Sequence, residues 1–139
     1  MSLQENKDIV QRVADLFNEK KLEQARECFA DDFSNHDPSA PAVLDREALI
    51  QAFAVWRAGF PDARVQVKDL VAEGDKVVKH WTFHATHTGE FMGIPATGKK
   101  VLMHAATIYR LSGGKVAECW WNYDTMGMMQ QLGVIPPMG

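Results

Sequence analysis

Three residues of this chain have the chemistry and the setting to move protons: Asp124, His36 and His104. Asp124 closes the run Lys115–Asp124, which follows the turn pair Gly113-Gly114 and alternates as a strand. Alternation places Val116, Glu118, Trp120, Asn122 and Asp124 on one face, and Ala117, Cys119, Trp121 and Tyr123 on the other. A carboxylate among apolar neighbours is costly to bury unless it finds a partner or takes up a proton. In such a pocket its pKa rises toward neutrality, which suits a general acid or base. His36, in the segment Asn35-His36-Asp37-Pro38, is expected to share that work or to hydrogen-bond a substrate oxygen. His104 shares a face with Leu102, Ala106 and Ile108, on the strand expected beside the one that carries Asp124. An imidazole there would orient the carboxylate. The plainer alternative for each is a satisfied buried hydrogen-bonding group. Glu118 is assigned a structural or sheet-edge role.

Other chemistries lack their residues. His80 and His84 share a strand face but lie roughly 13 Å apart at about 3.3 Å per residue, and His84 and His87 point to opposite faces. There is no HExxH, no His-x-His and no cysteine pair, so no metal site is expected. No GxSxG elbow is present, and neither Gly113-Gly114 nor the Gly89–Gly98 stretch matches a phosphate- or dinucleotide-binding fingerprint. The expectation is acid–base chemistry without a cofactor.

The elements that must position these groups fall into two halves. Gln4–Glu19 reads as a helix, with Ile9, Val13, Leu16 and Phe17 on one stripe. Leu22–Phe29 reads as a second, short helix. The polar segment from Ala30 to Pro38 is extended or turning at Asp37, because Pro38 disfavours helix there. Ser39–Leu44 is a loop, and Asp45 caps a third helix, Arg46–Gly59, with Leu49, Phe53 and Trp56 as its apolar stripe. The period then changes to two. Ala63–Glu73, Lys76–Thr88, Val101–Leu111 and Lys115–Asp124 read as strands, separated by Gly74-Asp75, the glycine-rich Thr88–Lys100 loop and Ser112-Gly113-Gly114. A Met-rich helix, Thr125–Leu132, follows, and Pro136-Pro137 starts an extended tail.

Helices first and an antiparallel meander of about four strands afterwards define an α+β class in a single domain over residues 1–139. A strongly curved sheet wrapped by helices would enclose a cone-shaped cavity. Candidate lining residues are Asn35, Phe17, Phe53, Trp56, Phe60, Trp81, Phe83, Met92, Trp120, Asn122 and Met128. The composition, 46% hydrophobic and 24% charged with a net charge of −3, argues against nucleic acid or an anionic membrane surface as partner. No membrane span or signal peptide is expected, Met1-Ser2-Leu3 is given no structural role, and two unpaired cysteines fit a cytoplasmic protein. The expected partner is an apolar small molecule.

Several phrases then carry a resemblance that runs from about Lys7 to Gly133. They are Asn35-His36-Asp37-Pro38, Phe60-Pro61-Asp62, the block from His87 to Lys99 (HTGEFMGIPATGK), Glu118-Cys119-Trp120 through Asp124, and Gln131-Leu132-Gly133. Together and in this order they resemble the SnoaL-like polyketide cyclase (ester cyclase) family. The resemblance implies the cone-shaped α+β barrel of the nuclear transport factor 2-like (cystatin-like) superfamily and a homodimer or higher homo-oligomer, often formed through the sheet. It implies a cofactor-independent intramolecular aldol ring closure of a polyketide-like ester, with Asp124 at the position of the family's acid–base aspartate and His36 as a pocket residue. An isomerase or hydratase acting beside a carbonyl, or a non-catalytic binding protein for an apolar small molecule, would use the same pocket. The Asp–Arg–Asp set of the superfamily's epoxide hydrolases cannot be assembled from these strand faces.

Overall fold

The computed structural model describes residues 1–40 and 42–136. Pro41, in the expected loop, and Pro137, in the expected tail, lie outside the described residues. Helix α1 is Leu3–Asn18, opened by a capping box in which the Ser2 hydroxyl accepts from Glu5 N–H and the Glu5 side chain accepts from Ser2 N–H. Ser2 and Leu3 therefore have structural roles that the sequence reading withheld. Helix α2 is only Leu22–Arg26, and Phe29, expected as its last residue, instead begins strand β1, Phe29–His36. Helix α3 is Arg46–Gly59, capped by Asp45, whose side chain accepts from Ala48 N–H at 2.9 Å. Strands β2 (Arg64–Glu73), β3 (Lys76–Thr86), β4 (Lys100–Ser112) and β5 (Lys115–Tyr123) form the meander, and helix α4 (Thr125–Leu132) ends at Gly133 in the left-handed conformation.

The curved sheet has the order β1-β5-β4-β3-β2. The meander pairs are antiparallel as expected, but β1 is a fifth strand and runs parallel to β5, so the sheet is mixed. Its period is broken between Phe29 and Ser34, where the register slips and Asp31 and Asp32 stand exposed. That irregularity is why alternation does not reveal β1. A second bulge sets the phase of β5: Leu111 pairs with Val116 but Arg110 with Glu118, leaving Ala117 as the extra residue. Val116, Cys119, Trp121 and Tyr123 consequently face the helices, while Glu118, Trp120 and Asn122 face outward.

Two apolar clusters join the sheet to the helices. One gathers Val10, Val13, Leu16, Phe29, Phe33, Tyr109 and Val116; the other gathers Phe60, Trp81, Phe83, Phe91, Met103 and Leu132. Trp56 bridges α3 to the second cluster, with the rings of Phe91, Phe83, Phe60 and Tyr123 at 4.6, 5.4, 6.0 and 6.0 Å. Because it is half-buried, Trp56→Ala is expected to cost about 3 kcal/mol in urea denaturation, the lower end for a large aromatic truncation. A nearly neutral result would place Trp56 outside the cooperative core. No described helix is long and apolar enough to cross a membrane.

Candidate functional site

Between α1, α3 and the inner sheet face lies a cavity of about 90 Å³. Its wall is mostly apolar: Val13 and Phe17 from α1, Leu49, Phe53 and Trp56 from α3, and Val65, Trp81, Phe83, Met103 and Trp121 from the strands. Four polar side chains reach it: Asn35, Asp37, Lys79 and Tyr123. Few polar groups in an aromatic wall is the usual character of a small-molecule site, although typical ligand pockets measure about 300–1,000 Å³.

Lys79 is the least expected of the four. It follows the inner-face series Val77, Lys79, Trp81, Phe83 on β3 and is only 3% exposed. The rings of Trp81, Tyr109 and Trp121 surround its Nζ at 4.9, 5.2 and 5.8 Å. Among the described residues no carboxylate lies within ion-pair distance of it. Cation–π attraction replaces part of the lost hydration. Burial nevertheless pulls its pKa down to about 8, with Cys119 acting in the opposite direction.

Asp37 and Tyr123 stand at the cavity mouth. The Tyr123 hydroxyl donates to the Asp37 carboxylate, 2.8 Å from each oxygen, while Ser39 donates to Asp37 Oδ1 through its N–H and its hydroxyl. Burial pushes the Tyr123 phenol up to about 12; the Ser39 hydroxyl opposes this and the carboxylate adds to it. Tyr123 thus keeps its proton at neutral pH. Deeper in, Asn35 Oδ1 accepts from Trp121 Nε1, and Trp81 Nε1 donates to Thr107 Oγ1 at 2.9 Å, which fixes two of the rings around Lys79.

The expected site residues divide. Asn35, Phe17, Phe53, Trp56, Trp81 and Phe83 line the cavity. Phe60 and Met128 are fully buried behind its wall, Phe60 among Trp56, Phe83 and Phe91, and Met128 where α4 packs on the sheet. Met92 is 71% exposed, at positive φ within the turn between Phe91 and Ile94. Trp120 and Asn122 lie on the outer face because of the β5 bulge, and His104 is exposed on the outer face of β4. His36 is also outside: it stacks on Trp120 at 5.3 Å and its Nε2 lies 2.6 Å from Glu118 Oε2. Glu118 also accepts from Arg110 Nε at 3.0 Å, and these bonds, His36 first, hold its carboxyl below the usual range.

Asp124 does not share the cavity face either. The strand stops at Tyr123, and the exposed Asp124 caps α4, its Oδ1 accepting from Gly127 N–H at 2.8 Å. A Cβ on Gly127 would come within 2.2 Å of Asp124 Oδ2, so the cap and the glycine belong together. As a cap, Asp124→Ala is expected to lower stability by about 1 kcal/mol and Asp124→Asn to restore most of it. A role in proton transfer would reverse the comparison in a turnover assay, with Asn as inactive as Ala.

Lys79, Asp37 and Tyr123 escaped the sequence reading of the site. The signal for Lys79 was present, a lysine in phase with Val77, Trp81 and Phe83; that for Asp37 was only its place beside Pro38. Among the described residues no group of three or more His, Cys, Asp or Glu side chains could hold a metal ion.

A family model for the SnoaL-like polyketide cyclase matches residues 7–132, and the chain belongs to that family. It is similar to IdmH of Streptomyces antibioticus, a candidate polyketide cyclase, at 32% identity and a TM-score of 0.84, over 92% of this chain and 98% of that one. It is also similar to AclR of Streptomyces galilaeus, a candidate hydroxylase, at 27% identity and a TM-score of 0.90, over 99% of this chain and 87% of that one. A protein of Catenulispora acidiphila with a ketosteroid isomerase-like fold shares the fold at 19% identity and a TM-score of 0.76, over 90% and 92% of the two chains. No curated protein matches.

Proposed function

We propose that the chain binds an apolar carbonyl compound in the inner cavity and catalyses cofactor-independent proton transfer beside the carbonyl, with aldol ring closure as the family's version of that chemistry. The convergence of Asp37, Tyr123, Asn35 and Lys79 on an otherwise aromatic cavity carries this reading. Asp37 is the base for the α-proton. Tyr123, still protonated at neutral pH, positions the carboxylate and can return a proton to the new alkoxide. The resulting enolate attacks a second carbonyl of the same molecule, for which proximity can contribute about 7–11 kcal/mol of the barrier. The test is deuterium exchange at the α-carbons of butanone and of larger cyclic ketones, followed by NMR with and without the protein. Exchange no faster than buffer across the panel would defeat the proposal.

The volume of about 90 Å³ favours a second reading, isomerase or hydratase action on a small carbonyl compound. A polycyclic ester would have to place only its reacting end there or displace side chains. The size dependence of the exchange rate separates the two.

The outer face of the sheet supports self-association. Val71, Val78, Ile108, Trp120 and His36 stand opposite one another across all five strands, and Val71 and Val78 are 60% and 36% exposed. Beside this row runs a groove of about 650 Å³ lined by His36, Ile108 and Trp120. Pairing two such faces would cover the row. Val78→Lys with Ile108→Lys is expected to shift the mass by light scattering from dimer to monomer, and an unchanged mass would remove this face from consideration.

A further inference from the structure

We infer that Lys79 is a covalent anchor for the ligand, forming an imine with a ketone or aldehyde carbon that enters the inner cavity. The inference rests on the carbonyl-binding reading above and extends it to a residue and a bond. Lys79 Nζ opens onto the cavity, inside a cage formed by Trp81, Tyr109 and Trp121, with no carboxylate in ion-pair range among the described residues. A lysine kept for stability would be expected to hold an acceptor; this one faces space instead. The groups nearest to it are neutral: burial raises both the Cys119 thiol and the Tyr109 phenol well above their ordinary values. Nothing charged therefore competes with a ligand for the nitrogen.

Burial also supplies the reactive form. With its pKa near 8, roughly a tenth of Lys79 is neutral amine at pH 7, against well under a hundredth of a solvated lysine. The amine attacks the carbonyl carbon, the N–C bond forms, and the carbonyl oxygen leaves as water with the two nitrogen protons. Reprotonation gives an iminium, whose α-proton is more acidic than that of the parent ketone. Asp37 at the mouth is the base for that proton, and the enamine left behind is the carbon nucleophile that a ring closure needs. Water returned at the end of the cycle releases Lys79.

The test treats the full chain at pH 7 with butanone, and separately with benzaldehyde, in the presence of sodium cyanoborohydride, which reduces an iminium to a stable secondary amine. Peptide mass mapping then compares the alkylated fraction at Lys79 with that at exposed lysines such as Lys68 and Lys20. The expected result is labelling at Lys79 at least about tenfold above the exposed sites, and its absence from Lys79→Met. Quenching of tryptophan fluorescence by each probe without reductant reports binding independently. Binding with uniform labelling would overturn the anchor and leave the carbonyl-binding proposal standing. Absence of both binding and selective labelling would overturn both.

Discussion

Asp37→Asn is expected to lower α-proton exchange of a bound ketone by roughly 10²–10⁴ while leaving its affinity within a few-fold. The substitution keeps the size of the side chain and an acceptor for the Tyr123 hydroxyl, so the mouth of the cavity keeps its shape. What it removes is the carboxylate basicity. Ser39, which donates to Asp37 Oδ1 at 2.9 and 2.7 Å, can still donate to the amide oxygen. Tyr123→Phe provides the companion measurement: losing the phenol should reduce the rate by a smaller factor, because the base stays and only its orientation and the proton return suffer. Exchange in Asp37→Asn that matched wild type would exclude Asp37 as the base. If Asp124→Asn then lost the activity instead, the base would be the residue to which the family resemblance pointed, reached through opening of the α4 cap.

That contrast shows where local pattern stops being informative. Helix α3 was legible to the residue, because Asp45 caps it and Gly59 ends it. The meander was legible because glycine turns separate runs with a period of two. Strand β1 was not, since its partner β5 lies some eighty residues away and its own alternation breaks after Phe29. On β5 the expected face failed at a single residue: Ala117, bulged out of the ladder, reverses the phase of everything between Val116 and Tyr123. Counting by twos from Val116 put Glu118, Trp120, Asn122 and Asp124 inside, whereas the bulge puts Trp121 and Tyr123 there. Nothing within Lys115–Asp124 announces an extra residue; it shows only against Arg110 and Leu111 of the neighbouring strand. Lys79 is the opposite case, since β3 has no bulge between Lys79 and Phe83 and simple alternation already placed a lysine among aromatics.

Lys79→Met is expected to stabilise the protein at pH 7, and its advantage over wild type should shrink by roughly 2–3 kcal/mol between about pH 7 and pH 10. The direction follows from where the proton sits. Well below about pH 8 the folded and unfolded chains both hold it, and the folded state bears a buried charge that lacks an ion-pair partner. Between about 8 and the ordinary value of 10.5 the unfolded chain still binds the proton while the folded chain has released it, so wild-type stability gains with rising pH from this group. Methionine, of similar length and uncharged, has no such dependence. The wild-type curve alone would not reveal the effect. Cys28, Cys119, Tyr109 and Tyr123 are all held protonated by burial above their ordinary values, so each subtracts stability as pH rises past its unfolded pKa. The losses from Cys28, Tyr109 and Tyr123 are common to both proteins and cancel in the difference, which therefore reads Lys79 together with its coupling to Cys119. Urea denaturation of the pair at about pH 7, 8.5 and 10 measures it. A difference that stayed constant would mean that Lys79 titrates like a solvated lysine, and the cage would then be hydrated rather than dry. A difference that fell as expected would establish an amine partly neutral near physiological pH inside an aromatic cavity, the condition on which imine formation depends.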